Sequence, residues 1–382
     1  ETVWRWRSVF WNGNWEELRE KINIPDVKIP IMKNAKPTID RYRRVPPAKA
    51  EILKEHCKNL LTAEIIEEID TSKFVSNPHI VSQMRTNQAT GETKIKHRFT
   101  VDYRATNKLI ESRAYKMKIA EELFEEISKK GRVITVADAA NFFWQIPIDE
   151  DSRQITSFYL FEKLMCFLVY SQGLKSAPQD SQKVSDLITS RIYHHTKSFI
   201  DDFITHSLTH FQHHKDLDEF LMIASYYRLK LSPEKTSIGL SKQNILGYSI
   251  SQNTIHKLPQ HRITSITDIP SPKSKKELAS FLGLTAWLCH FTCLRDASLL
   301  LRQMAKSKVR FNWDDKLEAA FQECKRLMLD TKSGILRTPI EMEPYILFTD
   351  ASKSHIGSIL TQIQLASERE QLQDQIQKGT KR

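Results

Sequence analysis

Glycine and proline are scarce in this sequence, with 10 and 14 of them among 382 residues. Disordered chains are typically rich in these residues and poor in apolar ones, whereas 40% of the residues here are apolar. The composition excludes a low-complexity chain and predicts an ordered globular protein. The length is sufficient for about two or three domains, each with a hydrophobic core.

Long apolar runs and a signal peptide are also missing. No stretch approaches the roughly 20 apolar residues that span a bilayer, and the N-terminal residues ETVWRWR do not have the layout of a secretory signal. The five cysteines are an odd number, and they stand at positions 57, 166, 289, 293 and 324. We therefore expect reduced thiols in an intracellular protein that is not secreted and has no membrane partner.

Positive charge and tryptophan are what the sequence has in excess. Lysine and arginine outnumber the acidic residues by 57 to 46, which gives a net charge of +11. Such a charge suits a polyanionic partner but does not by itself identify nucleic acid. Tryptophans cluster beside arginines near the N-terminus, at positions 4, 6, 11 and 15. They could stack on a nucleic acid, but we favour a lead-in that packs on a neighbouring domain, or a leftover linker.

The periodicity of apolar residues divides the chain into an α+β part, a helical part and the start of another α/β unit. Helices are expected at 47–66, 115–130, 179–195, 213–229 and 315–329, and strands at 79–85, 95–103 and 345–350. A strand, a turn and a second strand are expected over 132–148. Ser274 and Glu277 have the spacing of a capping box at the start of a helix.

Three aspartates, Asp138, Asp201 and Asp202, are the candidate catalytic residues. Each lies in an apolar, β-prone run, where an isolated carboxylate is costly unless something pairs with it. Adjacent strand residues point to opposite faces, so Asp201 and Asp202 would serve one site best at a tight hairpin turn. Carboxylates from two strands form an oxygen site that suits magnesium. Taken alone, the same residues could be turn or capping aspartates.

Nucleotide addition requires the charge on the entering and leaving oxygens to be neutralised, which two bridged metal ions can do. Asp138 and Asp201 fit this requirement only if their strands are neighbours in one sheet. Phe143 follows Asp138 by five positions, and a ring there could lie beside a nucleotide sugar and reject a 2′-hydroxyl. The alternative is a core aromatic residue.

An ordered series of motifs surrounds these residues. They are RYRRVPP at 41–47, HRFTVDYRATNK at 97–108, Asp138 with Phe143, QGLKSAP at 172–178, FIDD at 199–202, LKLSPEK at 229–235, ILGY at 245–248, the run at 269–284, FNWD at 311–314 and TDASKSHIGSIL at 349–360. In this order and spacing, they resemble the reverse transcriptase of LTR-retrotransposon Pol polyproteins. The similarity is greatest to the gypsy-type group and more distant to retroviral enzymes, and it covers roughly residues 40–362.

The resemblance implies an α+β fold, a right-hand polymerase of fingers, palm and thumb with an antiparallel palm sheet. A helical thumb and connection region would follow, and then a truncated ribonuclease H-like α/β fragment. The expected parts are a Trp- and Arg-rich lead-in, the fingers and palm, the thumb and connection, and the incomplete ribonuclease H-like fragment with a charged tail. Their ranges are 1–44, 45–255, 256–338 and 339–382.

The resemblance also implies an RNA-directed DNA polymerase that adds dNTPs to a primer on an RNA or DNA template. It would use two Mg²⁺ ions, with Mn²⁺ as a substitute, and would be cytoplasmic within a retroelement particle, with access to the nucleus. Ribonuclease H and integrase would be further domains of a longer polyprotein. The alternative is an inactive, retroelement-derived protein that only binds nucleic acid.

The family's site residues carry over to matching positions. Metal ligands would be Asp138, the carbonyl of Ala139, Asp201 and Asp202, with Asp202 in a supporting role. Residues for the dNTP would be Lys94, Lys96, Arg98, Ala139, Phe143 and Gln172. Lys235 would protonate the departing pyrophosphate, unless it is only a surface lysine at a helix end, and the primer grip would be Leu246, Gly247 and Tyr248. Asp102 and Arg104 would form a structural pair.

Several positions depart from the family's pattern. Ala-Ala-Asn follows Asp138, Ser171 and Gln172 replace Pro-Phe, and the usual aromatic residue after Pro178 is absent. Asp350 alone represents the ribonuclease H ligands, so we expect no nuclease activity from this chain. The histidines at 194, 195, 206, 210, 213 and 214 suggest zinc, but no cysteine pair lies near them and we disfavour it.

Overall fold

The computed structural model describes residues 1–86, 93–192, 194–256, 266–288, 297–306, 310–329, 335–337, 339, 343–351 and 356–362. They form two compact units, one of Glu1–Leu246 with Ile250–Gln252, and the other of Gly247–Ser249 with the residues from Asn253 onward. No helix among the described residues is long and apolar enough to cross a membrane. Helices and antiparallel strands are mixed, as the resemblance implies.

The first unit contains most of the helices and strands. Its helices are α1 (Thr2–Arg5), α2 (Pro47–Thr62), α3 (Ala120–Lys130), α4 (Glu150–Arg153), α5 (Ala177–Thr189) and α6 (His210–Tyr226). Its strands are β1 (Thr38–Ile39), β2 (Ile66–Glu68), β3 (Phe74–Val75), β4 (Pro78–Thr86), β5 (Thr93–Val101), β6 (Val133–Asp138), β7 (Phe158–Leu160), β8 (Lys163–Phe167), β9 (Thr196–Phe199), β10 (Asp202–Ser207), β11 (Ser237–Leu240) and β12 (Lys242–Ile245). Strand β13 (Tyr248–Ser251) contains residues of both units.

A four-stranded sheet in the order β11-β6-β10-β9 forms the centre of the first unit, and each neighbouring pair is antiparallel. Strand β6 has the sequence VITVAD, in which all residues but the terminal Asp138 are buried. Helix α6 packs on the sheet, with the ring of Phe220 stacked on Phe203 of β10 at a centroid distance of 5.5 Å. The apolar run therefore places Asp138 at the end of a rigid, buried strand.

Several expectations for local structure are wrong. Helix α3 begins at Ala120 and not at residue 115, and α5 ends at Thr189 and not at residue 195. The expected second strand after Asp138 is absent, because Asn141 adopts a φ of +48° and begins a 3₁₀ turn, Phe142–Gln145. Helix α2 ends at Thr62 and does not continue to residue 66. Glu64 has a φ of +49°, and Ile66 already pairs with Phe167 of β8.

The second unit is largely helical in its described part. It contains α7 (Lys275–Leu288), α8 (Leu299–Lys306), α9 (Asp315–Leu329), β14 (Thr254–His256), β15 (Ile335–Arg337), β16 (Tyr345–Ala351) and β17 (Ile356–Gln362). Ser274 Oγ accepts the N–H of Glu277 at 3.2 Å, so the expected cap of α7 is present. Phe281 of α7 and Phe321 of α9 meet in a shared core at a ring distance of 4.5 Å, and β16 and β17 form an antiparallel hairpin.

Candidate active site

The central sheet brings the three candidate aspartates together. Asp202 of β10 lies directly opposite Asp138 of β6 in the antiparallel register. The hairpin between β9 and β10 has a two-residue loop, which places Asp201 next to them. The N–H of Ala139 donates to the carbonyl oxygen of Asp201 at 2.8 Å and joins the end of β6 to this loop. The strand adjacency that the sequence hypothesis required is therefore present.

The first loop residue of this hairpin, Ile200, has a φ of +55°. A positive φ at this position is the pattern of a type II′ turn, which usually places glycine there, because a β-branched residue is strained in this region. The side-chain oxygen of Gln182 accepts the N–H of Ile200 at 2.8 Å. Gln182 is fully buried on α5, so a buried side chain of this helix holds the turn in place.

Burial, and after it charge repulsion, raises the pKa of both Asp201 and Asp202. Burial, followed by the charges of Asp201 and Asp138, raises the pKa of Asp202 to about 7. Burial and the charge of Asp138 also raise the pKa of Asp201, while the charge of Lys235 opposes this effect. A cation at this position would relieve the repulsion. The donor set, carboxylate oxygens from two strands and their turn, fits a hard ion such as Mg²⁺.

Lys235 supplies the cation that contacts this site in the structure. Its Nζ donates to Asp138 Oδ1 at 2.7 Å, and the lysine side chain is 60% exposed. A 3₁₀ turn, Pro233–Lys235, positions it, and the N–H of Ser232 donates to the carbonyl oxygen of Asp138 at 2.8 Å. Lys235 therefore contacts a candidate metal ligand from an exposed position at the end of a 3₁₀ turn.

No group of three or more His, Cys, Asp or Glu side chains within the described part of the chain is arranged to enclose a metal ion. This holds for the histidines for which zinc was considered and also for Asp138, Asp201 and Asp202, whose carboxylates are neighbours but are not arranged to enclose an ion. His206 and His213 are both buried, and His213 bonds to Thr135 Oγ1 at 2.6 Å and to Ser207 Oγ at 2.9 Å. His213 thus belongs to the packing between α6 and the sheet.

Phe143 lies half-buried in the 3₁₀ turn that follows β6, where it packs against the main core. Its neighbour Phe142 is buried and contacts Phe203 edge to face at a ring distance of 6.2 Å. The two adjacent rings therefore differ in environment, since one is a core residue and the other is partly exposed near Asp138.

Four of the expected dNTP residues, Lys94, Lys96, Arg98 and Gln172, lie on two segments that contact each other. Arg98 is exposed on β5, while the side chains of Lys94 and Lys96 on the same strand lie outside the described residues. Gln172 precedes Gly173, whose φ is +96° and whose carbonyl oxygen accepts Asn107 Nδ2 at 2.9 Å. Asn107 follows β5 closely, so its amide joins the loop of Gln172 to the end of this strand.

Asp102 and Arg104, just after β5, form the expected pair. Arg104 Nε and Nη2 each donate to the Asp102 carboxylate at 2.7 Å, and Arg43 Nη1 donates at 3.1 Å. The hydrogen bond from Arg104 is the main cause that lowers the pKa of Asp102 well below its usual range. Both oxygens of Asp102 are engaged, which is consistent with a structural role.

The expected primer grip lies at the turn between β12 and β13. Leu246 and Gly247 have φ values of +49° and +86°, the pattern of a type I′ turn. Tyr248 is buried at the start of β13. The sequence motif thus coincides with a tight turn.

Two buried glutamines near the aspartates were missed from the sequence. Gln182 accepts the N–H of Ile200, and Gln145 bonds to Ala140 after β6 and to Lys230. Gln145 Oε1 accepts the N–H of Lys230 at 2.8 Å, and its Nε2 donates to the carbonyl oxygens of Lys230 and Ala140. For Gln145 the signal in the sequence was a polar residue within the apolar run FFWQIPI, whereas Gln182 stands among polar residues and gave no such signal.

Known proteins were compared with the chain. Residues 87–285, more than half of the chain, match the family model described as reverse transcriptase (RNA-dependent DNA polymerase). The retrovirus-related Pol polyprotein from transposon 412 of Drosophila melanogaster is 26% identical over 335 residues, which are 87% of this chain and 26% of that protein. Polyprotein P3 of Commelina yellow mottle virus is 30% identical over 73% of this chain and 14% of its own length. The chain therefore spans about a quarter or less of these relatives.

Solved structures show a similar fold. The foamy viral protease-reverse transcriptase dRH in complex with double-stranded DNA has a TM-score of 0.79 and 20% identity, over 94% of this chain and 61% of that one. The same viral enzyme with an RNA/DNA hybrid has a TM-score of 0.75 and 20% identity, over 94% and 49%. The α+β polymerase fold expected from the motifs is confirmed. The chain belongs to the reverse transcriptase (RNA-dependent DNA polymerase) family.

Proposed function

We propose that this chain is an RNA-directed DNA polymerase that adds dNTPs to a primer 3′ end on an RNA or DNA template. One observation carries the proposal. Asp138 and Asp202 lie opposite each other on adjacent antiparallel strands, with Asp201 on the turn between β9 and β10. This arrangement gathers three carboxylates at one edge of a buried sheet, where metal-assisted phosphoryl transfer needs them.

Two Mg²⁺ ions, or Mn²⁺ as a substitute, fit these donors. Asp138, Asp201 and the carbonyl of Ala139 would hold them, with Asp202 in support. When bound, the ions would neutralise the charge that develops on the entering and leaving oxygens. The contact between Lys235 and Asp138 supports a role of this lysine beside the leaving phosphate, to which it would give a proton.

The remaining residues would bind and select the nucleotide. Arg98, with Lys94 or Lys96, would hold the triphosphate, for which a guanidinium fork is well suited. Gln172 would contact the nucleotide, and the partly exposed ring of Phe143 would reject a 2′-hydroxyl. Leu246, Gly247 and Tyr248 would hold the primer end.

The relatives are named polyproteins, which supports a place for this chain within a longer Pol protein with ribonuclease H and integrase domains. Template–primer and dNTPs would be its partners, and the cytoplasm, within a retroelement particle, its location. Nuclease activity from the residues around Asp350 is not expected, because only one ligand of that site is recognisable.

Primer extension on a poly(rA) template tests the proposal. The wild-type chain should incorporate dTTP with Mg²⁺, and Asp201→Asn should abolish incorporation while binding the duplex equally well. If both proteins bind the duplex alike and incorporate equally little dTTP, the chain is a nucleic-acid-binding protein and the proposal is lost.

A further inference from the structure

The Trp-rich N-terminus packs onto the first unit and does not extend away from it. Trp6 Nε1 donates to Asp218 Oδ1 on α6 at 2.9 Å, and Arg5 contacts the same carboxylate at 3.2 Å. Trp15 packs on Trp144 of the 3₁₀ turn, with ring centroids 6.0 Å apart. These contacts correspond to the packing that the sequence favoured.

Residues 8–24, here termed the brace, form backbone hydrogen bonds with a segment next to Asp138. The N–H of Trp11 donates to the carbonyl oxygen of Leu231 at 2.8 Å, and the N–H of Leu231 donates to the carbonyl oxygen of Val9 at 2.9 Å. Both Val9 and Leu231 are buried. The brace thus adds one more extended chain beside residues 230–232, here termed the linking segment.

The other edge of the linking segment is bonded to the end of β6. Leu231 forms an antiparallel bridge with Ala139. The N–H of Ser232 donates to the carbonyl oxygen of Asp138 at 2.8 Å, and the N–H of Ala140 donates to that of Lys230 at 2.9 Å. A continuous set of backbone hydrogen bonds therefore runs from the brace through the linking segment to the candidate site.

Side chains reinforce the same connection. Lys230 Nζ donates to the carbonyl oxygen of Ser8 at 2.7 Å and lies 3.6 Å from Glu17 Oε2. The backbone carbonyl oxygen of Gln145 accepts the N–H of Ile22 at 2.9 Å, while the side-chain amide of Gln145 bonds to the backbone N–H and carbonyl oxygen of Lys230. The brace therefore contacts the side chain of Lys230 and the backbone of Gln145, the residue whose amide holds Lys230.

We propose that the brace is a positioning element for the metal site, with Trp11 of the brace and Lys230 and Leu231 of the linking segment as the positioning residues. By holding the linking segment, it sets the position of Asp138 relative to Asp201 and of Lys235, four residues beyond Leu231. The inference rests on the function proposed above. It predicts that a variant with a loosened brace loses a larger fraction of its Mg²⁺ affinity than of its free energy of unfolding.

A pair of variants at one position isolates the backbone bond. Trp11→Pro removes the N–H that bonds to Leu231, whereas Trp11→Phe retains it. Phe10 has φ −89° and ψ 124°, the extended conformation that a residue before proline prefers. The first measurement is dNTP binding at a series of Mg²⁺ concentrations. The protein is bound to a primer–template whose primer ends in a dideoxynucleotide, so the next dNTP binds but cannot react. The second is the Mg²⁺ dependence of primer extension.

Trp11→Pro should raise the Mg²⁺ concentration for half-saturation about tenfold in both measurements, the lower end of losses seen when groups that orient metal ligands are removed. Trp11→Phe should remain near the wild type. If both variants share the wild-type Mg²⁺ dependence and only unfold at a lower temperature, the brace is structural and the inference is overturned. If the wild type itself shows no Mg²⁺-dependent binding or extension, the proposed function fails and the inference fails with it.

Lys230→Met provides a second variant that leaves the backbone bonds intact, so it also serves if Trp11→Pro does not fold. It removes the charge that holds Ser8 and Glu17 but retains most of the aliphatic stem. The same rise in Mg²⁺ requirement is expected, with recovery in Lys230→Arg. Trp4→Ala is the control, because Trp4 lies outside the brace and is 72% exposed. An equal rise in Lys230→Met and Trp4→Ala would overturn the inference.

Discussion

The side-chain oxygen of Gln182 accepts the backbone N–H of Ile200 at 2.8 Å, from a helix to the turn that carries Asp201. The other end of the same amide donates to Asp186 Oδ1 at 3.0 Å. Lys118 Nζ contacts this carboxylate oxygen at 2.6 Å and also donates to the carbonyl oxygen of Ser198 at 3.1 Å. The turn that carries Asp201 is thus held by a partly buried polar network, which compensates for the strained φ of Ile200.

Gln182→Leu should destabilise the turn and reduce polymerase activity. The N–H of Ile200 would lose its partner, which costs about 1–3 kcal/mol for a buried donor. Gln243→Leu is the matched control, since the Gln243 amide is also buried and bonds to Ile134 and Ser237 within the same sheet. Urea unfolding should show comparable losses in free energy for both variants. Only Gln182→Leu should lose activity per folded molecule, and equal activity in the two variants would contradict the prediction.

The sequence singled out Asp138, Asp201 and Asp202 and predicted a tight hairpin turn for the last two, because adjacent strand residues point to opposite faces. It left open whether the strand of Asp138 is their neighbour, because about sixty residues separate the two segments. The cap at Ser274 was predictable because capping is local. Gln182 could not be assigned, because its partner Ile200 is distant in sequence and the bond depends on how α5 packs on the sheet.

The region after Asp138 was predicted wrongly for a physical reason. The residues FFWQIPI have strand propensity, but Asn141 takes a left-handed conformation and the buried amide of Gln145 bonds to Ala140 and Lys230. Tertiary hydrogen bonds therefore overrode local propensity. The position of the brace could not be predicted from the sequence either, because its partner Leu231 lies more than 200 residues away along the chain.

Lys235→Met should reduce the rate of nucleotide incorporation, while Lys235→Arg should retain part of it. General-acid groups typically contribute about 10²–10⁴-fold to a rate. Met lacks the ammonium group with which Lys235 contacts Asp138 Oδ1. Single-turnover incorporation of one dNTP isolates the chemical step from product release. If Lys235→Met retains the wild-type single-turnover rate, Lys235 is not the acid.

Phe143→Val should increase incorporation of ribonucleotides relative to dNTPs. A smaller side chain beside the nucleotide would remove the steric conflict with a 2′-hydroxyl. The ratio of kcat/KM for rNTP and dNTP is the measurement, and an unchanged ratio would remove Phe143 as the selecting residue.

Its neighbour Phe142 offers a control for the effect of losing an aromatic ring. Phe142→Ala should cost roughly 3–5 kcal/mol of unfolding free energy, because the ring is buried in the core. It should leave the nucleotide selectivity of the remaining folded protein unchanged. A change in selectivity as large as that of Phe143→Val would indicate an indirect effect through the core.

Asp102→Asn should make stability less dependent on pH below neutrality. The hydrogen bond from Arg104, and then that from Arg43, lower the pKa of Asp102 in the folded protein, so the unfolded chain binds the proton more readily. The stabilisation from this carboxylate is therefore present above its unfolded pKa of about 3.9, and it is lost as pH falls towards the lower folded value. Because Arg104 is highly exposed, we expect a difference of no more than about 1 kcal/mol at pH 7.

Urea unfolding of wild type and Asp102→Asn at pH 7 and pH 3 measures this difference. The wild type should be the more stable at pH 7, and the difference should be smaller at pH 3 without vanishing, because the folded pKa of Asp102 lies well below its usual range. Asp151→Asn is the control, since Asp151 is 88% exposed and its ion pair with Lys28 is 3.9 Å long. It should lie within error of the wild type at both pH values. A difference for Asp102→Asn that grows on acidification would reverse the sign of the linkage and exclude the Arg104 pair as its origin.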